Sequence, residues 1–172
     1  MDDTVNQKNI RTKSMEALVF HYSHSLGRAC WSHCVITSHF VSGPYSISLQ
    51  FKPYYREKKC EELRISFQSK TDIAKKFIQN FDKPSKLEKI YILMDSWYTS
   101  NSLIDEALSR NYYLIGGVRF NRNFYPDVNK IKIYEFATNL NPNTLDSVTV
   151  RGKEYKVYRY HVRLPKPIIR CF

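Results

Sequence analysis

Nothing in the 172-residue sequence approaches the run of roughly 18 apolar residues that a membrane-spanning helix needs. The amino end, Met1-Asp2-Asp3, is acidic and polar, unlike a signal or transit peptide. These two lacks predict a soluble, cytoplasmic chain with no membrane partner. Internal repeats and low-complexity tracts are missing as well, and the length alone suggests one domain. The four cysteines, Cys30, Cys34, Cys60 and Cys171, are scattered, which suits a reduced compartment and not a disulfide framework. His21, His24, Cys30, His33 and Cys34 crowd together, yet in no CxxC or HxxxH spacing. His33 and Cys34 are adjacent and face opposite sides of a strand, so zinc is disfavoured. Gly116-Gly117 lacks both the GxGxxG spacing and a following helix, which excludes a nucleotide-binding loop.

Acid is outnumbered by base. Lys and Arg number 27 against 16 Asp and Glu, giving a formal charge of +11 and an isoelectric point near 9.5. From Arg151 to Phe172 seven basic residues face one glutamate, a local balance of +6. A basic chain gathers polyanions by releasing their counterions, so nucleic acid is the expected partner, and a nucleoid-associated location follows. Hydrophobic residues make up 42% and aromatics 15%, ample for a packed core.

The first third reads as sheet. Cys30 to Thr37 has the β-branched and aromatic content of a strand. Gly43-Pro44 marks a turn, and Tyr45 to Phe51 alternates with period two. Lys52 to Lys70 is charged and irregular, predicting a loop over the sheet. Thr71 is placed to cap a helix reaching about Phe81, with Ile73, Ala74, Phe77, Ile78 and Phe81 on one face. Ile90 to Met94 is a continuous apolar run, as in a strand covered on both faces. Thr99 or Ser100 then caps a second helix with Leu103, Ile104, Ala107 and Leu108 as its buried stripe, Asn111 ends it, and Tyr112 to Val118 is a further strand. Strand, helix, strand at this spacing is a βαβ unit. The tail from Asn139 carries turn residues at Asn141-Pro142-Asn143 and Arg151-Gly152, the second flanked by strand-like Ser147–Val150 and Tyr155–Val162. It reads as a β-rich hairpin insertion or packing arm.

Chemistry centres on Asp95. A carboxylate at the carboxyl end of a buried parallel strand lies where open α/β sheets place their sites. An Asp capping the next helix explains the same position without catalysis. Asp2 and Asp3 supply further acid; on residues alone a frayed polar terminus is the favoured account of them. Two carboxylates sharing a divalent cation would suit phosphodiester chemistry. Trp97 and Tyr98 are candidates for stacking on a DNA base or strand, against ordinary packing aromatics. Arg119, Asn121 and Arg122 follow a strand end and are candidates to clamp phosphate, against a solvated loop.

Asp2-Asp3-Thr4, then a Lys and Met15-Glu16, then Gly27 and Trp31-Ser32-His33-Cys34-Val35-Ile36-Thr37, resembles the first catalytic block of DDE transposases of bacterial insertion sequences. The group concerned is the large cut-and-paste one with a β-rich insertion in an RNase H-like domain. Met94-Asp95-Ser96-Trp97-Tyr98, followed by Ile104 and Tyr113 through Arg122, resembles the second block. The resemblance implies an α/β fold, an RNase H-like mixed sheet flanked by helices. Residues 1–138 would be a partial catalytic core and 139–172 the start of the insertion. It implies that Asp3, with Asp2 as second choice, and Asp95 hold Mg²⁺ or Mn²⁺. The partners it implies are DNA, as transposon ends and target, and a second copy in the synaptic complex.

The family's third acid is a Glu in a Tyr…Arg…Glu…Lys signature beyond the insertion. Glu154 is a poor substitute on a strand edge. In Tyr54-Tyr55-Arg56-Glu57-Lys58 the Arg and Glu are adjacent, and the segment precedes Asp95. The expectation is therefore a chain truncated at both ends and inactive alone. The rivals are a non-catalytic DNA-binding remnant and a generic metal-dependent nuclease on the same fold.

Overall fold

The computed structural model describes residues 1–84, 89–126 and 129–159. The chain divides into two compact units, Met1–Gly116 and Gly117–Phe172.

The first unit is built on a long strand. β1 (Asp2–Gln7), β2 (Val19–Ser23), β3 (Arg28–Ser42) and β4 (Tyr45–Tyr54) form an antiparallel sheet. β1 and β4 both pair with β3 from Cys34 to Thr37, so they lie on its opposite edges. A two-residue loop joins β3 to β4, and Gly43 there adopts φ +56°, the left-handed conformation such tight hairpins need. Cys30, Ser32, Cys34, Ile36 and Ser38 are buried on one face of β3. Their mostly small side chains suit a close approach by the helix layer.

The segment expected to be a loop over Lys52–Lys70 is more ordered than its charge suggested. β4 runs to Tyr54, and α1 (Glu57–Leu63) follows, burying Cys60. Arg64 closes α1 in the left-handed conformation, its N–H reaching back to Cys60 and Glu61 carbonyls. α2 (Lys70–Gln79) is opened by Ser69, not Thr71: Ser69 and Asp72 form a reciprocal capping box. Ile73, Ala74, Phe77 and Ile78 are its buried face, as the spacing predicts.

β5 (Tyr91–Met94) and β6 (Tyr113–Gly116) pair in parallel around α3 (Asn101–Ser109), giving the expected βαβ unit. α3 buries Leu103, Ile104 and Ala107. Asn111, at φ 57°, ends it by turning the chain. Ile36, Ile73, Phe77, Met94, Tyr98 and Leu103 lie in one core cluster.

β5 is not covered on both faces among the described residues. Ile92 and Leu114 pack on the core, whereas Tyr91, Leu93, Tyr113 and Ile115 are 51%, 59%, 43% and 45% exposed. β4 likewise exposes Tyr45, Ile47, Leu49 and Phe51.

The second unit holds β7 (Asn123–Phe124) paired with β8 (Ile131–Lys132), and α4 (Ile133–Thr138). A hairpin of β9 (Asp146–Val150) and β10 (Lys153–Val157) follows. That hairpin turns at Arg151-Gly152 as expected. Residues 160–162 of the expected strand, and most of the basic tail, lie outside the described residues.

Candidate active site

Asp95 is the first residue after β5, and local hydrogen bonds fix it. Its Oδ1 accepts from the backbone N–H groups of Trp97 and Tyr98, each at 3.0 Å. Its carbonyl accepts from the Thr99 hydroxyl at 2.8 Å and the Thr99 N–H at 3.2 Å. Thr99 is thus engaged in fixing the turn, and Ser100 stands at the N-cap of α3 without a side-chain capping bond. The cap reading of Asp95 and the site reading coexist: Oδ1 is spent on the turn, and among the described residues Oδ2 accepts no hydrogen bond.

Asp3 arrives from β1. Its cross-strand partner is Ile36, so it stands on the inner face, while the neighbouring Asp2 pairs with Thr37 and faces the other way. Asp3 Oδ2 accepts from Lys70 Nζ at 2.5 Å and from the Cys34 thiol at 3.6 Å. Asp3 Oδ1 accepts from the Tyr98 hydroxyl at 3.5 Å. Tyr98 therefore links the two acids: its backbone holds Asp95 and its hydroxyl reaches Asp3. Burial pushes the Tyr98 phenol well above its usual range, and the charges of Asp3, Cys34, Asp2 and Asp95 add to the shift. The amino group of Met1 donates to the Leu93 carbonyl at 2.8 Å, which brings the start of β1 beside the end of β5.

Lys70 faces Asp3 from the first position of α2. Its ammonium lies 5.4 Å from the ring centroids of both Tyr54 and Trp97. Among the described residues no group of three or more His, Cys, Asp or Glu side chains is arranged to hold a metal ion. The carboxylates nearest this corner are Asp95, on the Tyr98 backbone N–H, and Asp3, on the Tyr98 hydroxyl. Hard oxygen of that kind fits Mg²⁺, which typically takes one or two carboxylates and keeps several waters.

A family model of the DDE superfamily endonucleases matches residues 1–133. The chain belongs to that family. No curated protein and no solved structure matches it. Membership in the DDE superfamily implies a DNA substrate, and the match takes in both Asp3 and Asp95. No helix among the described residues is long and apolar enough to cross a membrane.

The other candidates of this DDE domain fall in different places. Trp97 is 45% exposed and has ring surface to offer. Tyr98 is 0% exposed, so its ring belongs to the core and is not available for stacking on DNA. Arg119, Asn121 and Arg122 lie in the second unit, with Arg119 and Asn121 exposed. His21 and Cys30 are cross-strand partners on the inner face, while His33 Nε2 bonds the Glu16 carbonyl at 2.7 Å. Lys70 was not foreseen. A signal did exist: the first turn of a helix favours acid, and a lysine at its first position opposes the macrodipole.

Gly116 supports Asp95 from β6. A Cβ there would stand 2.4 Å from Thr99 Oγ1, the atom that bonds the Asp95 carbonyl. Gly116→Ala is expected to cost about 1–3 kcal/mol by overpacking. Thermal or urea unfolding checks it, and a stability equal to the parent's would contradict this packing.

Proposed function

We propose that this chain carries two of the three carboxylates of an insertion-sequence transposase, which cleaves transposon ends and joins them to target DNA. The observation that carries the reading is that Asp3 and Asp95, far apart in sequence, both hydrogen-bond the one buried residue Tyr98, Asp95 at its backbone N–H and Asp3 at its hydroxyl. An RNase H-like core is supported by β4, β3 and β1 lying in that order in one antiparallel sheet, and by the separate parallel β5–β6 pair, whose Leu93 carbonyl accepts from the Met1 amino group at the start of β1. The hairpin of β9 and β10 fits the opening of a β-rich insertion.

In this reading Asp3 and Asp95 hold Mg²⁺ or Mn²⁺. The chemistry such an ion supplies is activation of an attacking oxygen and neutralisation of charge on the leaving one. The residues of the chain do the positioning. The turn bonds to Asp95 fix one carboxylate, the Tyr98 hydroxyl and β1 fix the other, and Trp97 lies alongside for the DNA strand. Arg119, Asn121 and Arg122 contact phosphates, and a second copy joins in the synaptic complex.

Mn²⁺ binding followed by electron paramagnetic resonance tests the metal reading. Asp3→Asn and Asp95→Asn are each expected to weaken binding at least about tenfold, the scale of one lost charge partner. Unchanged binding in both overturns it. The chain alone is expected to leave transposon-end DNA essentially uncut in Mg²⁺ or Mn²⁺, because no third acid joins the pair among the described residues. Robust, Asp95-dependent nicking contradicts that.

DNA binding should be sequence-independent and fall steeply with salt, since phosphate contacts dominate at +11. Replacing Arg119 and Arg122 with Ala should lower affinity for transposon-end and scrambled duplexes alike. The salt slope should flatten by roughly one per lost phosphate contact. Salt-insensitive binding, or strong preference for the end sequence, defeats this expectation.

A further inference from the structure

Lys70 is not an ordinary surface lysine. Its side chain is 21% exposed, and that of Asp3, its ion-pair partner, is 23% exposed. The rings of Tyr54 and Trp97 stand at equal distances from the ammonium, 5.4 Å to each centroid, so two aromatic faces and a carboxylate enclose it. The Ser69–Asp72 capping box fixes the start of α2 and therefore the root of the side chain. Holding a cation at the positive end of a helix opposes the macrodipole. The arrangement persists because Asp3 and the two rings compensate it.

The oxygen that Lys70 occupies, Asp3 Oδ2, belongs to one of the two proposed metal-binding carboxylates. We infer that Lys70 is a tethered cation that fills the Asp3 side of the metal site, and that a divalent ion must displace it to bind. This rests on the metal reading of Asp3 and Asp95 given above and adds a positioning residue to it. Two consequences follow from the charge. With the ion absent, the ammonium neutralises the Asp3 carboxylate and keeps it in place. With the ion present, the ammonium is released next to Trp97, the exposed aromatic proposed to meet DNA, where it can pair with a phosphate.

The test is Mn²⁺ titration of the full chain by electron paramagnetic resonance, comparing wild type with Lys70→Met and Lys70→Arg. Loss of the competing charge in Lys70→Met is expected to tighten Mn²⁺ binding by about tenfold or more, the effect of removing one unit charge at contact distance. It is also expected to lower the metal-free melting temperature, with Mn²⁺ restoring more of it than in wild type. Lys70→Arg keeps the charge and should bind Mn²⁺ close to the wild-type strength. A merely structural lysine would lower stability in Lys70→Met without tightening Mn²⁺ binding.

Unchanged or weaker binding in Lys70→Met, with binding still dependent on Asp95, overturns the role of Lys70 and leaves the metal reading standing. Binding that survives both Asp3→Asn and Asp95→Asn overturns the metal reading itself. Absence of binding in wild type and Lys70→Met alike, up to millimolar Mn²⁺, overturns both.

Discussion

Tyr98→Ala is expected to destabilise the first unit by about 3–5 kcal/mol, the usual cost of emptying a large buried aromatic site. Tyr98 is fully buried, and its ring lies 5.0 Å from that of Trp97. It packs in the cluster with Ile36, Ile73, Met94 and Leu103. Truncation removes the ring from the place where β1, α2, α3 and the end of β5 meet. Tyr98→Phe is the control. It deletes only the hydroxyl, whose bond to Asp3 is long at 3.5 Å, so the cost should stay near or below about 1 kcal/mol. Urea unfolding of the two variants reads the difference directly. A mild Tyr98→Ala would mean that the ring does not fill the core, and would return it to the candidates for DNA stacking.

Acid should weaken the fold through His21. This imidazole is 5% exposed, and its Nε2 finds no hydrogen-bond partner among the described residues. Burial, then the charges of Arg56 and Lys70, lower its pKa from 6.5 to about 4. Between those two values the unfolded chain takes up a proton that the folded chain refuses. Stability from the neutral ring is therefore complete above about pH 6.5 and is lost as pH falls toward 4. A gap of this size corresponds to about 3 kcal/mol. Carboxylates also begin to titrate near the lower end, so the diagnostic is a comparison with His21→Gln. Urea midpoints at pH 7, 5.5 and 4 should fall less steeply in that variant, and parallel curves would contradict the assignment.

The βαβ unit was legible because apolar residues at helical spacing in α3, flanked by two apolar runs, admit few other readings. α2 was equally clear on its buried face, though not at its start. Ser69 carries an acid three residues on, Asp72, where Thr71 has Ala74, so the capping-box spacing that marks Ser69 was present in the sequence and went unused. Asp95 stood out by position, at the end of an apolar run. The first acid did not: Asp2 and Asp3 differ only in which face of β1 they occupy, and that depends on register with β3. α1 escaped because its seven residues bury only Cys60, too little apolar periodicity to stand out. Tyr54 escaped because a cluster assembled from β1, β4 and α2 leaves no mark on local spacing, and the one mark Lys70 left, a cation in a first helical turn, depended on placing the start of α2 at Ser69.

The uncovered side of β5 and β6 has a consequence for how this protein behaves in a tube. Tyr91, Leu93, Tyr113 and Ile115 form an exposed apolar patch, with Tyr91 stacked on Tyr113 at 5.1 Å between ring centroids, the kind of surface expected to promote association. The net charge of +11 acts against it by keeping copies apart. Salt screens that repulsion and leaves the apolar attraction intact. Added salt is therefore expected to drive copies together, the same change that is expected to weaken the proposed phosphate contacts. Phosphate or sulfate buffers, which strengthen apolar burial, sharpen the effect.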